Sequence, residues 1–313
     1  MNLWAHQTQA IDFISDHTIK QVGRSLIVMP PGAGKSEVAI SAVLAWLTLS
    51  PKHRAVVCVP NTRLLGQFYS RLARVTRERI FFEQSARRAP SHARLVLASQ
   101  PSLIERLGRY PEDTMLIIDE AHHSSYDAPC FNRILSRFAR TVGLSATPWT
   151  KGLVQLFEEI YFYSLSESIA NHVVSQIEII QVSNLVTIDN PPSLVFVATN
   201  KDAQSISAKY PNADWVGHSR DESEILSIID RWKSQHIKTL FVNRMLLEGY
   251  DIPDLSSVGI HMDLKSHVMC AQIIGRALRY KPGKTARIFV STADTFRTAT
   301  ETLHMMDREP NGD

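Results

Sequence analysis

The sequence predicts an α/β protein of two domains, each a mostly parallel sheet flanked by helices. Short apolar runs typical of buried strands alternate with segments of helical periodicity along nearly the whole chain. The alternation pauses after about residue 150 and then restarts, and 313 residues fit two domains of about 100–200 residues each. We therefore predict an N-terminal domain over residues 1–165 and a C-terminal domain over residues 166–313.

The N-terminal half opens with a predicted amphipathic helix over residues 3–14, and apolar runs then predict five strands. Helical segments separate most of the runs, which favours parallel strands covered on both faces. Ligands of such sheets bind at the carboxyl ends of the strands. The strands are predicted at residues 26–28, 54–60, 94–99, 115–120 and 141–146. Polar residues fall at or just after their ends: Lys35, Asn61, Ser99, Asp119, Glu120, Ser145 and Thr147.

The C-terminal half repeats the pattern without a glycine-rich loop of its own. Residues 150–172 are interpreted as a connector that contains a helix from Ser166, and a new element begins at Gln176. Further strands are predicted at residues 193–198, 213–216, 239–242, 258–262 and 286–290, and helices near 201–209, 221–234 and 268–278.

Composition describes an ordinary soluble globular chain, with 44% hydrophobic and 21% charged residues. A net charge of +3 neither requires nor excludes a nucleic-acid partner, and the arginines that are dense between Arg54 and Arg109 could simply form a solvated face. The three cysteines are far apart and match neither a disulfide framework nor a zinc spacing. With no signal-peptide or membrane-spanning pattern, we expect a cytoplasmic protein with no membrane partner.

The stretch from Met29 to Ser36 predicts a phosphate-binding loop. It lies between a predicted strand and a predicted helix and contains Gly32, Gly34 and Lys35. Backbone N–H groups of such a loop surround a phosphate at the helix N-terminus, while the lysine reaches the outer phosphates and the serine hydroxyl holds Mg²⁺. The strict pattern requires a glycine where Met29 stands. By itself the loop is also compatible with a small-molecule kinase or a chance match.

Two adjacent carboxylates, Asp119 and Glu120, follow a predicted buried strand. One acid can hold Mg²⁺ opposite the phosphate loop, and its neighbour can polarise an attacking water. An exposed turn is one alternative. A metal site at His122 and His123 is another, although we expect adjacent histidines to point apart, and no third ligand is near in sequence.

Four motifs together resemble the superfamily-two helicases, from about Leu3 to Val290. The chain is similar to their DEAH-box branch, which is related to restriction-enzyme motor subunits and to phage and bacterial DNA-repair helicases. The resemblance implies two RecA-like domains with ATP hydrolysed between them. The motifs are Gly32-Ala33-Gly34-Lys35-Ser36, Asp119-Glu120-Ala121-His122, Leu144-Ser145-Ala146-Thr147-Pro148 and the run from Gln272 through Gly275-Arg276 to Arg279.

The resemblance implies a catalytic role for each motif. Lys35 and Ser36 would bind phosphate and Mg²⁺ with the help of Gly32, Ala33 and Gly34, Asp119 would hold the Mg²⁺ shell, and Glu120 would be the catalytic base. Ser145 and Thr147 would couple the nucleotide state to the grip on nucleic acid. Gln272 would link its helix to the nucleotide, and Arg276 and Arg279, one turn apart on that helix, would be arginine fingers.

Weaker matches complete the expected nucleotide site. Gln7 matches a glutamine that reads adenine, although Trp4 and His6 replace the usual arginine and aromatic residue, so that Trp4 could stack on the base or could serve the core. Gly249 and Asp251 would lie near the ribose and γ-phosphate, and Gly249 could equally end a helix.

For nucleic acid, the resemblance implies backbone contacts that are largely independent of base sequence. The implied residues are Asn61, Arg63, Gln100, Thr199 and Asn200.

The sequence and the resemblance together predict an ATP-dependent nucleic-acid helicase or translocase, with DNA favoured over RNA and a monomer as the expected state. A minimal motor subunit that borrows specificity from a protein partner is one alternative. A nucleic-acid-binding module without ATPase activity and a small-molecule kinase are the others.

Overall fold

The computed structural model describes residues 3–123, 128–183, 193–243, 245–246 and 255–310, except for the side chains of Arg63 and of residues 128–130. Its contacts divide the chain into two units, each with its own sheet. The first unit comprises Met1–Met29, Gly34–Tyr163 and Glu309–Asp313, and the second comprises Pro30–Ala33 and Ser164–Arg308.

The first unit is built on a parallel sheet of seven strands in the order β3-β4-β2-β5-β6-β1-β7. The central strands are buried along their length, as expected for a sheet covered on both faces. Its strands are β1 (Arg24–Val28), β2 (Ala55–Val59), β3 (Ile80–Glu83), β4 (Leu95–Ser99), β5 (Met115–Ile118), β6 (Arg140–Ser145) and β7 (Glu159–Phe162).

Helices connect these strands, and local sequence explains where several of them begin. Asn61 accepts a hydrogen bond from the Leu64 N–H at 3.2 Å, as an N-cap does. Gly34 precedes a helix in a left-handed conformation that favours glycine. The helices of this unit are α1 (Ala5–Ile14), α2 (Lys35–Leu49), α3 (Thr62–Val75), α4 (Gln100–Glu105) and α5 (Ala128–Arg137), and a π-helical turn over Ser15–Ile19 extends α1.

The second unit contains a parallel sheet of six strands in the order β10-β11-β9-β12-β13-β8. Its strands are β8 (Gln176–Gln181), β9 (Ser193–Val197), β10 (Ala213–Val216), β11 (Thr239–Val242), β12 (Ser257–His261) and β13 (Thr285–Val290). Its helices are α6 (Leu165–Ala170), α7 (Asn200–Ser207), α8 (Glu222–Lys233), α9 (His267–Gly275) and α10 (Ala293–Met306).

The predicted fold class of two parallel sheets flanked by helices is confirmed, with differences in single elements. The sequence interpretation missed β3 and took residues 159–162 for a connector, whereas these residues form β7 beside β1. None of the helices in the described ranges has the length and hydropathy that crossing a membrane requires.

Candidate nucleotide site and nucleic-acid edge

The predicted phosphate loop connects β1 to α2. Gly32 and Gly34 have φ angles of +87° and +88°, a region that L side chains rarely adopt. A Cβ atom on Gly34 would also lie 2.1 Å from the amide nitrogen of Gln7. The left-handed φ favours glycine at position 34, and a side chain there would also displace the Gln7 amide. The loop leads directly into the N-terminus of a 15-residue helix. Such an N-terminus attracts anions.

Lys35 begins α2 with a side chain that is only 8% exposed. Its Nζ donates a hydrogen bond to the carbonyl oxygen of Met29 at 3.1 Å. Burial lowers the pKa of Lys35, and the nearby charges of Glu120 and Asp119 only partly oppose that shift. An anion bound at the loop would favour the charged amine, so the site suits a phosphate.

Asp119 and Glu120 directly follow β5 at the carboxyl edge of the sheet. The Asp119 N–H donates to the carbonyl oxygen of Cys58 at 2.9 Å, which extends the β2–β5 pairing by one bond. Asp119 is buried, and Glu120 has a φ of +49°, which is uncommon for a residue other than glycine. Burial and the charge of Asp119 raise the pKa of the Cys58 thiol to about 12. β5 packs against α2, and the charges of Asp119 and Glu120 act on the buried amine of Lys35 at the start of that helix.

Ser36 and Asp119 offer the oxygen ligands that Mg²⁺ prefers. Mg²⁺ usually binds proteins through one or two such groups and completes its shell with water and substrate phosphates. Within the described part of the chain, no group of three or more His, Cys, Asp and Glu residues could hold a metal by itself. The donor set fits a cation that a nucleotide brings with it.

His122 links the acidic segment to the end of β6. Its Nδ1 lies 3.4 Å from Oε2 of Glu120 and 3.4 Å from the hydroxyl oxygen of Ser145. The Ser145 hydroxyl in turn accepts the Thr147 N–H at 3.0 Å. His122, Ser145 and Thr147 are buried, and the Thr147 hydroxyl has no hydrogen-bond partner among the described residues. Ser145 and Thr147, which the resemblance assigns to coupling, are thus linked to Glu120, the predicted catalytic base, through the imidazole of His122.

The expectation that His122 and His123 point apart is wrong. Their ring centroids are 4.4 Å apart with an interplanar angle of 33°. The chain turns tightly here, since the His123 N–H donates to the carbonyl oxygen of Glu120, and the turn brings adjacent side chains together.

Gln7 lies against the phosphate loop. Its side chain accepts the Trp4 N–H at 3.0 Å and places the amide nitrogen toward Gly34. His6 is buried and stacks on Tyr163, with ring centroids 4.6 Å apart and planes 3° apart. Trp4 is 47% exposed, so the alternative of a core tryptophan is wrong and its indole is accessible. The sequence interpretation missed Tyr163, which follows β7.

The residues predicted to contact nucleic acid in the first unit lie at the carboxyl edge of its sheet. Asn61 caps α3 after β2, and Gln100 begins α4 after β4. The cap gives Asn61 a structural role at the start of α3. The side chain of Arg63 lies outside the described residues.

Thr199 and Asn200 follow β9 in the second unit. Thr199 caps α7 in a reciprocal pair with Asp202. The side-chain oxygen of Asn200 is buried without a hydrogen-bond partner among the described residues, and the side chain lies against Gly217, where a Cβ atom would approach that oxygen to within 2.4 Å. Gly249 and Asp251 lie outside the described residues.

The expected arginine helix ends earlier than predicted. Gln272 lies on α9, but the helix stops at Gly275, Arg276 is its C-cap, and Arg279 lies beyond it. Arg279 instead forms an isolated antiparallel bridge with Val174, and the Ser175 hydroxyl donates to the Arg279 carbonyl oxygen at 3.0 Å. These tertiary bonds satisfy the backbone in place of helical ones, so the two arginines do not share a helix face. Arg276 is half-buried and Arg279 is exposed.

Comparison with protein families assigns the two halves separately. Residues 1–150 match the model described as the type III restriction enzyme res subunit, and residues 177–281 match the helicase conserved C-terminal domain. Among curated proteins, the chain is 22% identical to "Putative helicase 22" of Sulfolobus islandicus filamentous virus (isolate Iceland/Hveragerdi). That alignment covers 96% of this chain and 66% of the viral protein, so the chain spans slightly less than two thirds of this relative.

Solved structures share the fold at low sequence identity. The type ISP restriction-modification enzyme LlaBIII bound to DNA matches 98% of this chain with a TM-score of 0.79 and 15% identity, and the chain spans 30% of it. The helicase MrfA bound to DNA has a TM-score of 0.72 at 16% identity, with 98% of this chain and 49% of that chain covered. S. cerevisiae Dbp5 bound to RNA and ADP BeF3 has a TM-score of 0.65 at 16% identity, with 98% and 93% covered.

Proposed function

Because the chain belongs to the superfamily-two helicases, with two RecA-like folds, we propose that it hydrolyses ATP to move along nucleic acid. One observation carries the proposal: the buried amine of Lys35, at the start of α2, and the carboxylates of Asp119 and Glu120, directly after β5, lie at the same edge of one sheet. A phosphate-binding amine and two carboxylates at the carboxyl edge of one parallel sheet are the parts that nucleotide hydrolysis requires.

The catalytic roles follow from the chemistry of these groups. Lys35 and the loop N–H groups bind the outer phosphates, and Ser36 and Asp119 hold Mg²⁺, which would offset phosphate charge. Glu120 accepts a proton from the attacking water as the bond between the γ-phosphorus and the ADP oxygen breaks. We propose that Gln272, Arg276, Arg279, Gly249 and Asp251 complete the site, and that Gln7 reads the base.

We propose that the chain moves along DNA. The residues proposed to contact the DNA backbone are Asn61, Arg63, Gln100, Thr199 and Asn200. The N-terminus of α3, where backbone N–H groups lie at the carboxyl edge of the sheet, supports this part of the proposal. LlaBIII and MrfA were solved with DNA and Dbp5 with RNA. The restriction-subunit match of the first 150 residues favours DNA for this chain.

Steady-state ATPase rates with single-stranded, duplex and branched DNA and with RNA test the proposal. We expect Mg²⁺-dependent hydrolysis that DNA stimulates about tenfold or more, and less stimulation by RNA. Turnover of ATP that is indifferent to every nucleic acid would contradict it and would favour a small-molecule kinase. Tight DNA binding without any turnover would favour a module without ATPase activity.

A second candidate is a motor subunit that needs a protein partner for specificity. In LlaBIII the same fold makes up 30% of a longer chain, so this fold can act as the motor part of a larger protein. Displacement of a triplex-forming strand without unwinding of a duplex would support this candidate, whereas efficient duplex unwinding by the chain alone would contradict it.

We propose a monomer located in the cytoplasm, and sedimentation velocity and cell fractionation would test these two points.

A further inference from the structure

A buried ion pair lies at the end of β3, outside the predicted nucleotide site. The Glu83 carboxylate is 1% exposed, accepts a hydrogen bond from Arg106 at 2.5 Å and accepts the Tyr110 hydroxyl at 2.9 Å. A second cation, Arg109, lies 3.9 Å from the same carboxylate. Burial and the charge of Glu83 raise the pKa of Tyr110, which keeps its hydroxyl protonated as a donor. Breaking such a pair is costly, so the cluster holds the end of β3 firmly.

Arg106 also holds the turn that follows β3. We call residues 84–88 the arginine turn. Gln84 and Arg87 exchange two backbone hydrogen bonds, of 2.8 and 3.1 Å. Arg106 donates to the carbonyl oxygens of Ser85 at 2.5 Å and Arg87 at 3.1 Å. The φ of +46° at Ser85 shows that these bonds maintain a strained backbone.

The arginine turn is also bonded to the segment proposed to contact nucleic acid. β3 and β4 are parallel neighbours, with Glu83 opposite Ala98, so both end at the carboxyl edge of the sheet. The Ser85 N–H donates to the Ser102 hydroxyl at 3.0 Å, and the same hydroxyl accepts the Ser99 hydroxyl at 3.1 Å. The turn therefore adjoins the first turn of α4, where Gln100 lies.

Two exposed arginines, Arg87 and Arg88, project from this anchored turn. The Arg87 guanidinium lies over the Phe82 ring, 5.7 Å from its centroid, and among the described residues neither arginine forms an ion pair. The Glu83 carboxylate at the end of β3 is buried and paired with Arg106, so it does not compensate the charges of Arg87 and Arg88. Two uncompensated charges on a rigid turn are suited to phosphates, because little side-chain and backbone entropy is lost on binding.

We propose that the arginine turn is an additional phosphate-binding element. It extends the proposed nucleic-acid path from α4 to the end of β3, which is the outermost strand of the sheet. It takes the sugar-phosphate backbone of DNA next to the segment held by Gln100, through Arg87 and Arg88. This inference rests on the proposed function, since it assumes that nucleic acid follows the carboxyl edge of the sheet. The contacts are to phosphates only, so binding through the turn is independent of base sequence.

Salt titration of DNA affinity tests the proposal, using the full chain and fluorescence anisotropy of a labelled single strand. The Arg87→Ala/Arg88→Ala variant should bind about tenfold more weakly at low salt, and its log–log salt slope should fall by about 1.4, or about 0.7 per lost phosphate contact. The Arg87→Lys/Arg88→Lys variant keeps both charges and should retain most of the wild-type slope.

The matched control is Arg74→Ala/Arg77→Ala. It removes the same charge from two exposed positions, at the end of α3 and just before β3. These positions lie at the end of the sheet where β3 begins, away from the carboxyl edge. The slope of this control variant should equal that of the wild type. Equal losses in both alanine variants, or a wild-type slope in Arg87→Ala/Arg88→Ala, would overturn this inference alone. Failure of the wild-type chain to bind any nucleic acid would overturn the proposed function and this inference with it.

Discussion

The Nδ1 atom of His122 lies 3.4 Å from the Ser145 hydroxyl oxygen and 3.4 Å from a carboxylate oxygen of Glu120. One buried imidazole thus touches both Glu120, the proposed catalytic base, and Ser145 at the end of β6. A change in the charge around Glu120 during hydrolysis can reach Ser145, and through it the Thr147 N–H, without any further residue.

We expect His122→Ala to reduce the stimulation of ATPase activity by DNA about tenfold, because coupling energies of roughly 1–3 kcal/mol are typical of such links. The basal rate without DNA should fall less. The measurement is the ratio of DNA-stimulated to basal kcat, with thermal melting to verify folding. His123→Ala, which removes the adjacent ring, should keep the ratio. An equal loss in both variants would mean that the imidazole of His122 has no special role.

Lys35→Ala should abolish hydrolysis, with kcat/KM at least about 10³-fold lower, because its amine is the proposed charge on the outer phosphates. Lys52→Ala, at an exposed position, should keep the wild-type rate. Steady-state ATPase assays provide the comparison. Undiminished activity in Lys35→Ala would contradict the catalytic assignment.

Lys35 should also affect how the free energy of unfolding depends on pH in the absence of nucleotide. Because burial lowers the pKa of Lys35, the unfolded chain binds more protons than the folded one between the folded pKa and 10.5. Lys35 therefore destabilises the fold fully below its folded pKa, and stability recovers as pH rises through that window. In urea unfolding, the Lys35→Met variant should not gain stability as the pH rises through this window. If the free energy of unfolding of the variant follows the same pH dependence as that of the wild type, this prediction is wrong.

Arg279→Ala should lower kcat about tenfold or more while sparing the Kd for ATP, since a finger acts chiefly in the transition state. Single-turnover rates and equilibrium binding of a fluorescent ATP analogue separate the two effects. The exposed neighbour Lys281 provides the control variant, Lys281→Ala. Loss of affinity with an intact rate constant would show that Arg279 binds the ground state instead.

Gly34→Ala should lower the free energy of unfolding by about 1–3 kcal/mol, because it forces a side chain into a φ of +88° and against Gln7. Gln7→Ala in the same chain should recover only part of the loss, since the backbone strain remains. Gly66 on α3 is the control: a Cβ atom there would meet no described atom within 4 Å, so Gly66→Ala should be neutral or stabilising by up to about 1 kcal/mol. Urea unfolding measures all three variants, and equal effects of the two glycine changes would contradict the geometry.

The elements that sequence predicted well are those whose own residues determine them. Strands such as β2 and β5 are apolar along their length because helices cover both faces of the sheet, so each appears as an uninterrupted apolar run. The predicted polar residues at their ends follow from the same pattern, since the chain leaves the sheet where the apolar run stops. The placement of Lys35, Asp119 and Glu120 at the carboxyl edge of the sheet could therefore be predicted without a structure.

The elements that sequence missed depend on distant partners. β3 and β7 are short edge strands with mostly half-buried residues. Each has an apolar run of three residues, at 80–82 and 160–162, next to a glutamate, and so short a run does not by itself distinguish an edge strand from a connector. The early end of α9 depends on Val174, about a hundred residues away, which pairs with Arg279. The ion pair of Glu83 with Arg106 joins residues 23 apart, and no local pattern links them.

The position of β7 beside β1 determines how long an N-terminal fragment of the chain has to be. β7 pairs with β1 along four residues, including Val28, the residue before the start of the phosphate loop. A fragment that stops near residue 150, where the match to the restriction-subunit family ends, would remove β7 and leave one side of β1 without its ladder partner. The exposed edge would recruit other chains. A nascent polypeptide therefore cannot finish its first sheet until Phe162 has emerged from the ribosome, and a soluble N-terminal fragment has to extend at least to Tyr163.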